Sequence, residues 1–323
     1  MTIPYDIFTI SLPTPFTVGP VNCYLLTADP PILVDTGPRS AQAYEVLVSE
    51  LNRHGFKLAD LGSVLITHGH LDHVGQLACI LRESKAAAFA HPSVVRQWKV
   101  YDEDRAETER FYAGVFRESG VPEAMVSEIV AAREEYRVYG EPVSIDRTVK
   151  DGQAIGVFHA RHVPGHSAGD TLFVDDARGI LFTGDHLLKV ATPFPLVRRP
   201  LAGQPRAKSL VELRESLCKT RSLNGVTAYP GHGRPFGDVP SVVDSVLERH
   251  ERKTQHVFGI LQRGPATPYQ VCCALFSKVS VRTLHFALSA VMGYLEILEM
   301  RGVVVAEIRD GVQWCSRRAE PAD

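Results

Sequence analysis

The sequence concentrates potential metal ligands in one short segment, residues 67–73 (THGHLDH). It places three imidazoles and one carboxylate within six positions, directly after the apolar run SVLIT. Neutral imidazoles and carboxylates are good ligands for zinc and neighbouring transition metals. Because such a cluster is costly to hold together without a cation, we interpret it as part of a metal site. The alternative is a solvated loop.

Three later segments also place a His or an Asp where a predicted strand gives way to a loop. They are VPGHS with His166, TGDH with Asp185 and His186, and YPGHG with His232. Sites in α/β domains are commonly assembled from strand ends. Each segment alone is typical of an ordinary loop, but together with residues 67–73 they supply the remaining ligands of a two-metal site.

The elements that must position these residues alternate between short strands and helices. The pattern predicts strands at 22–26, 32–34, 63–67, 87–90, 171–174 and 180–183, and helices at 41–51, 74–81 and 208–219. This alternation favours an α/β layered domain over an all-β sandwich. The histidine segment then follows directly on a buried strand.

Two further regions have a different texture. Residues 94–139 predict two or three helices broken near 120–122, an insertion in the α/β domain. After residue 240, helices at 242–262, 268–276 and 281–300 precede a small hairpin, which is the outline of a winged-helix module. We therefore predict a first domain at 1–240 and a second at 241–323.

Composition restricts the class of protein. The chain has 323 residues, 45% hydrophobic and 22% charged, with a net charge of −2. This composition is typical of a globular protein. A net charge this small produces no long-range electrostatic field that would attract nucleic acid or an anionic membrane. The six cysteines are scattered and the start lacks a signal-peptide pattern. We expect reduced thiols, no membrane association and a cytoplasmic location.

The order HxHxDH, PGH, GD and PGHG resembles the metallo-β-lactamase superfamily over about residues 5–240. The resemblance implies an αββα sandwich with two metal ions at one edge. It implies that Asp35 braces the histidine loop. It assigns His68, His70 and His166 to the first metal, Asp72, His73 and His232 to the second, and Asp185 as a bridge between them.

The same resemblance implies a dinuclear hydrolase. Two divalent ions, zinc by first choice with manganese or iron as alternatives, share a hydroxide that attacks the substrate. Asp72 is the expected catalytic residue, since a ligand beside this hydroxide can orient it and pass on its proton. The presence of both Asp72 and His73 favours this chemistry over that of the single-iron sulfur dioxygenases of the superfamily.

Several residues are candidates for substrate contacts. Phe111 and Tyr112 could line an apolar channel under the helical insertion, or pack that insertion against its own domain. Arg198 and Arg199 could meet a phosphate or a carboxylate, or form a solvated pair on their loop. His186 could face the substrate or support the metal ligands.

We expect hydrolysis of a small ester or thioester, as in the glyoxalase II branch of the superfamily, because a lid of aromatic residues suits an acyl chain. The alternatives are a metal-dependent endoribonuclease, a lactonase and a non-catalytic metal-bearing sensor. The expected partner is a small-molecule substrate. The near-neutral C-terminal region argues against nucleic acid, and its apolar helix positions are compatible with a homodimer.

Overall fold

The computed structural model describes residues 5–201 and 203–318. The strands are β1 (Ile7–Leu12), β2 (Val21–Leu26), β3 (Ile32–Val34), β4 (Ser63–Leu65), β5 (Ala87–Ala90), β6 (Arg147–Thr148), β7 (Ala154–Ile155), β8 (Phe158–His162), β9 (Thr171–Asp175), β10 (Ile180–Gly184), β11 (Thr227–Pro230), β12 (Val304–Arg309) and β13 (Val312–Arg317). The helices are α1 (Ala41–Arg53), α2 (Leu71–Val74), α3 (Leu77–Glu83), α4 (Pro92–Lys99), α5 (Arg105–Glu118), α6 (Glu123–Glu134), α7 (Ser209–Thr220), α8 (Val239–Leu261), α9 (Pro268–Leu275) and α10 (Val281–Met300).

Two sheets form the centre of the first compact unit, which comprises the chain up to Glu103, Arg137–Pro193 and Ser216–Val243. One sheet has the order β1-β2-β3-β4-β5-β6, and the other has the order β11-β10-β9-β8-β7. The pairs β3–β4 and β4–β5 are parallel, as the strand–helix alternation of the sequence predicts. Strands β9 and β10 form the predicted antiparallel pair.

Strand β2 shows why the sheets pack face to face. Its side chains alternate between two apolar clusters because successive residues of a strand point to opposite faces. Cys23 and Leu25 join a cluster with Leu47 of α1, whereas Tyr24 and Leu26 join a cluster that contains aromatic residues of the second sheet. Every residue of β2 is buried. The first sheet is therefore covered by helices on one face and by the second sheet on the other, which confirms the predicted α/β class.

The second compact unit comprises Asp104–Tyr136, Phe194–Glu215 and the chain from Asp244 onward. This grouping differs from the predicted boundary at residue 240, because it joins most of the predicted insertion 94–139 to the C-terminal region. The reason lies in the packing: α5 contacts α6, and α6 contacts α10. The turn at Gly120 is also tight against Thr267, where an added Cβ would lie 2.8 Å from the hydroxyl oxygen.

Helix α10 is the core helix of this second unit. Among the described residues it alone is long and apolar enough to cross a membrane, but 78% of its apolar window is buried within the structure. Such burial is typical of a helix that packs inside a fold. The hairpin β12–β13 follows α10, and Ala266 pairs with Cys315 of β13. The order of elements matches the predicted outline, while the winged-helix interpretation stays a prediction.

Candidate metal centre

The structure brings together all of the residues that the resemblance assigns as ligands. Their ring nitrogens and carboxylate oxygens form three overlapping groups, and within each group the atoms lie within 4.8 Å of one another. The groups are His68 with His70 and His166, His68 with His73 and Asp185, and Asp72 with His73 and His232. All of these residues belong to the first unit.

The position of the histidine loop, residues 67–73, follows from local structure. Strand β4 ends at Leu65, and the short helix α2 carries Asp72 and His73 on consecutive positions. The carbonyl of Gly69, which lies between the end of β4 and the start of α2, accepts hydrogen bonds from Gln97 Nε2 at 2.9 Å and Trp98 Nε1 at 3.2 Å. Helix α4 therefore anchors the histidine loop, a role that the sequence analysis did not predict.

Asp35 organises the ligands His68 and His73 through a buried relay. Its Oδ1 accepts from the backbone N–H of Thr67 at 2.8 Å. Its Oδ2 accepts from Thr67 Oγ1 at 2.7 Å and from His73 Nδ1 at 2.8 Å. Since the hydroxyl proton of Thr67 is used in this way, Oγ1 must accept from Nδ1 of His68, 3.1 Å away. The nitrogen left to bind a metal ion in both rings is then Nε2, the atom that faces the other ligands.

His73 is also fixed through its backbone. Its carbonyl accepts from both the N–H and the Oγ1 of Thr36, each at 2.8 Å. Thr36 directly follows Asp35 in the turn VDTG, so one turn holds both ends of this histidine. Asp35 has a positive φ of 59°, and its carboxylate faces the histidine loop. The short motif DTG after an apolar strand is the sequence pattern that indicates this support of His73.

The segment that carries His166 is closed by its own hydrogen bonds. Asp170 accepts from the N–H of Ser167 at 2.8 Å and from its hydroxyl at 2.6 Å. The N–H of Thr171 then donates to the carbonyl of Thr67 at 2.8 Å. This bond ties the start of β9 to the histidine loop, and so places His166 beside His70 with 4.5 Å between ring centroids.

Asp185 and His232 follow the neighbouring parallel strands β10 and β11. The N–H of Gly231 donates to the carbonyl of Gly184 at 2.8 Å, so the two loops run side by side. A Cβ at Gly231 would lie 2.3 Å from Asp185 Oδ1 and 2.7 Å from His73 Cε1. The glycine therefore leaves the space in which these ligands converge.

The donor set fits divalent cations. Among the described residues, His73 Nε2, Asp185 Oδ1 and His232 Nε2 are buried with no hydrogen-bond partner. His73 Nε2 lies 3.5 Å from Asp185 Oδ1, and His232 Nε2 lies 3.4 Å from Asp72 Oδ2. Buried polar atoms left without partners are costly, and a cation satisfies several of them at once. Nitrogen and carboxylate donors in this number suit zinc and neighbouring transition metals.

The electrostatics divide the ligands into two kinds. Burial lowers the pKa of His70 to about 3 and also lowers the pKa of His68, so both rings are neutral and ready to bind a metal. Burial opposes the charged form of His232 too, but Asp185 and Asp72 outweigh it and raise the pKa to about 10. Burial likewise disfavours the carboxylate of Asp185, yet His232 and His73 hold its pKa well below the usual range. A metal ion that binds His232 must displace its proton.

The residues predicted to contact substrate have partners within their own compact unit. His186 is buried, and its Nε2 is 2.8 Å from Thr220 Oγ1, so the ring packs inside the first unit. Phe111 and Tyr112 lie on α5 of the second unit and are half-buried. The Tyr112 hydroxyl donates to the carbonyl of Val197 at 2.9 Å, and Arg133 stacks over its ring.

Both arginines that were predicted to contact substrate form ion pairs within the second unit. Arg198 pairs with Glu212 and with the hydroxyl of Ser209. Arg199 pairs with Asp104 and with Glu107. Neither pairing was predicted from the sequence, since Asp104 is 95 residues from Arg199 and Glu212 is 14 residues from Arg198. The positive charge of each arginine is therefore balanced by carboxylates of the second unit.

The family model described as "Metallo-beta-lactamase superfamily" matches residues 16–232. The chain belongs to the metallo-β-lactamase superfamily. A similar protein is the probable metallo-hydrolase YqjP of Bacillus subtilis strain 168, with 29% identity over 306 residues, covering 93% of this chain and 94% of that protein. A more distant one is the atrochrysone carboxyl ACP thioesterase of Aspergillus fumigatus, with 23% identity over 275 residues, 80% of this chain and 69% of that protein.

Solved structures show the same superfamily fold along nearly the whole chain. A metallo-β-lactamase family protein from Thermus thermophilus matches with a TM-score of 0.79 and 26% identity, over 97% of this chain and 98% of that one. A β-lactamase domain protein from Burkholderia ambifaria matches with a TM-score of 0.82 and 21% identity, over 98% and 94%. The chain is thus a metal-binding hydrolase of this superfamily, whose fold implies a dinuclear divalent metal site with His and Asp ligands.

Proposed function

We propose that the protein is an acyl-thioester or ester hydrolase that uses two metal ions. The observation that carries the proposal is the position of Asp185 between the ligand groups. Its Oδ1 lies 3.5 Å from His73 Nε2, whereas its Oδ2 lies 3.5 Å from His232 Nε2 and 3.7 Å from His166 Nε2. One carboxylate thus reaches both groups of histidines, as a bridging ligand must.

We propose the ligand assignment that the resemblance implies. His68, His70 and His166 hold one ion, Asp72, His73 and His232 hold the other, and Asp185 reaches both. Two such cations supply a nucleophile near neutral pH, since they lower the pKa of water from 15.7 to about 7. We propose zinc as the metal, because neutral imidazoles and carboxylates suit it and burial keeps His68 and His70 neutral.

Asp72 has the position of a proton carrier. It is on the first turn of α2, where the N-terminal end of the helix favours its negative charge. Burial opposes that charge, but the neighbouring His73 and His232 lower its pKa. Asp72 can therefore stay ionised, orient the attacking group through one oxygen and hold the transferred proton until the leaving group accepts it.

A thioester is the preferred substrate class. The Aspergillus relative is named as a thioesterase that acts on an acyl group of a carrier protein. The Bacillus relative is named only as a metallo-hydrolase, which is compatible with the same chemistry.

The test is a substrate panel with matched variants. Protein purified without chelator is assayed on acyl thioesters, aryl esters, lactones and single-stranded RNA. We expect the highest kcat/KM on a thioester, and a loss of at least about 100-fold for Asp185→Ala and Asp72→Asn. Asp176→Asn, a change at a carboxylate with 60% of its side chain exposed, should act like the wild type.

Each other outcome contradicts the proposal. Cleavage of RNA or of lactones without thioester hydrolysis would replace the substrate class. Tight ligand binding without turnover of any substrate would indicate a sensor. One iron per chain, unchanged in Asp72→Ala, would indicate oxygen-dependent sulfur chemistry.

A further inference from the structure

Residues 20–24, at the beginning of β2, hold the loop that carries His232. Five hydrogen bonds join this segment to residues 230–233. They are His232 Nδ1 to Pro20 O at 2.7 Å, Asn22 N to Gly231 O at 2.7 Å, Asn22 Nδ2 to Pro230 O at 3.0 Å, Asn22 Nδ2 to Gly233 O at 2.7 Å, and Tyr24 Oη to Pro230 O at 2.6 Å. None of these bonds is local, since about 210 residues separate the partners in the chain.

Asn22 is the central residue of this arrangement. Its side-chain nitrogen donates to the carbonyls of Pro230 and Gly233, on either side of the Gly231–His232 pair. Its backbone N–H donates to the carbonyl between them, and the residue is only 4% exposed. A primary amide has two N–H donors on one atom, which a carboxylate of the same shape lacks. Asn22 therefore spans the turn with a group that Asp cannot replace.

The histidine itself depends on the same segment. Because the carbonyl of Pro20 can only accept, Nδ1 of His232 must donate to it. The nitrogen left to bind a metal ion is then Nε2, the atom 3.4 Å from Asp72 Oδ2 and 3.5 Å from Asp185 Oδ2. Both the position of the loop and the tautomer of its ring are thus determined from residues 20–24.

Other segments orient the two ligands of the first metal position that lie on the histidine loop. His68 is oriented by Thr67, and Gly69 beside His70 is held by Gln97 and Trp98. A change in residues 20–24 should consequently act on the metal position that His232 completes.

We propose that Asn22, supported by Tyr24, is a positioning residue that controls the metal affinity of the position completed by His232. This inference rests on the two-metal site proposed above. Its consequence is that loss of the bonds from residues 20–24 should weaken binding at the position completed by His232 more than at the position of His68, His70 and His166. Partners of metal ligands typically contribute about 10- to 100-fold in metal affinity.

The test measures metal directly. Wild type, Asn22→Asp, Tyr24→Phe and His232→Ala are dialysed against buffered zinc, and metal per chain is determined by mass spectrometry. We expect two steps of binding in the wild type. In Asn22→Asp the weaker step should shift by about 10- to 100-fold while the tighter step keeps its affinity, and His232→Ala should lose the same step.

Matched controls separate this effect from a general loss of structure. Asn52→Asp makes the same change at an exposed position of α1, and Tyr229→Phe removes a hydroxyl from the ring that contacts Tyr24. Both should bind zinc like the wild type. Tyr24→Phe should give a smaller shift of the weaker step, because the carbonyl of Pro230 keeps its bond from Asn22.

Two results would overturn the inference. One is wild-type affinity for both ions in Asn22→Asp, and the other is an equal loss at both steps in the folded variant. If Asn22→Asp does not fold, an unchanged weaker step in Tyr24→Phe overturns it. The measurement needs no substrate, so the expected shift in zinc affinity together with no hydrolysis of any substrate would refute the proposed function alone.

Discussion

The carboxylate of Asp35 lies 2.8 Å from Nδ1 of His73, and both side chains are almost fully buried. The same carboxylate reaches His68 through the hydroxyl of Thr67. One acidic group therefore sets the tautomer of two histidines that are assigned to different metal ions. This links the turn after β3 to both halves of the site.

Replacing Asp35 should weaken the site without removing a ligand. In Asp35→Asn the amide must place either a donor or an uncharged acceptor against His73 and Thr67, so the orientation of both histidines is lost. We expect metal affinity and kcat to fall by about 10- to 100-fold, measured by zinc titration and by turnover of a thioester.

Asp6→Asn is the control for this change, because Asp6 is exposed near β1. Thr67→Val should reproduce part of the loss, since it keeps the shape of the side chain but breaks the relay to His68. Wild-type zinc affinity in Asp35→Asn would show that packing alone orients the rings.

A methyl group at Gly231 should disrupt the site. The added Cβ would lie 2.3 Å from Asp185 Oδ1, a distance that side chains do not tolerate. We expect Gly231→Ala to lose most of its bound metal and at least about tenfold in kcat/KM, since sub-ångström placement of ligands matters for such sites. Gly237→Ala, with nothing within 4 Å of its added Cβ, should keep both. Equal metal content in the two variants would contradict the geometry.

Acid should weaken the ion pair between Glu251 and Arg301 in the second unit. Arg301 donates to both carboxylate oxygens, at 2.9 and 2.7 Å, and lowers the pKa of Glu251 from 4.5 to about 2. Because this pKa is depressed in the folded state, its contribution to stability is fully present above pH about 4.5 and is lost as the pH falls through about 2.

Glu251→Gln should therefore lower the free energy of unfolding by about 1 kcal/mol at pH 7, a value reduced for solvent screening of this partly exposed pair. The difference from wild type should shrink at pH 3, as measured by urea denaturation. Glu248→Gln, at a carboxylate with 72% of its side chain exposed, is the control and should show little difference at either pH. A difference for Glu251→Gln that does not change with pH would exclude the ionic origin.

Removing the metals should destabilise the first unit. The buried ring nitrogens and carboxylates of the site then lack the cation that satisfies them, and ligand at 100 times Kd contributes about 2.7 kcal/mol to stability. Trp98, which donates to Gly69 in the histidine loop, is one of two tryptophans in the chain. In Trp314→Phe its fluorescence reports on this loop, and we expect chelator to lower the unfolding temperature measured there. An unchanged temperature would argue against resident metal.

Many of the helices and strands could be predicted from local sequence patterns. The helix predicted at 41–51 is α1 at Ala41–Arg53, and the strand predicted at 87–90 is β5. These elements are determined by hydrophobic periodicity and turn residues within a few positions. The helical break at 120–122 was also visible, between the end of α5 and the beginning of α6. The grouping of these helices with α10 was not, because it depends on packing between distant segments.

The sequence by itself determined the candidate ligands, since His and Asp at strand ends have a chemistry that does not depend on the rest of the chain. Only the tertiary structure decided what surrounds them. Asn22 donates to Gly233, 211 residues later in the chain, and Arg199 pairs with Asp104, 95 residues earlier. Both outcomes depend on which side chains the fold places within about 3 Å of each other, the range of a hydrogen bond, and spacing along the chain carries no record of that distance.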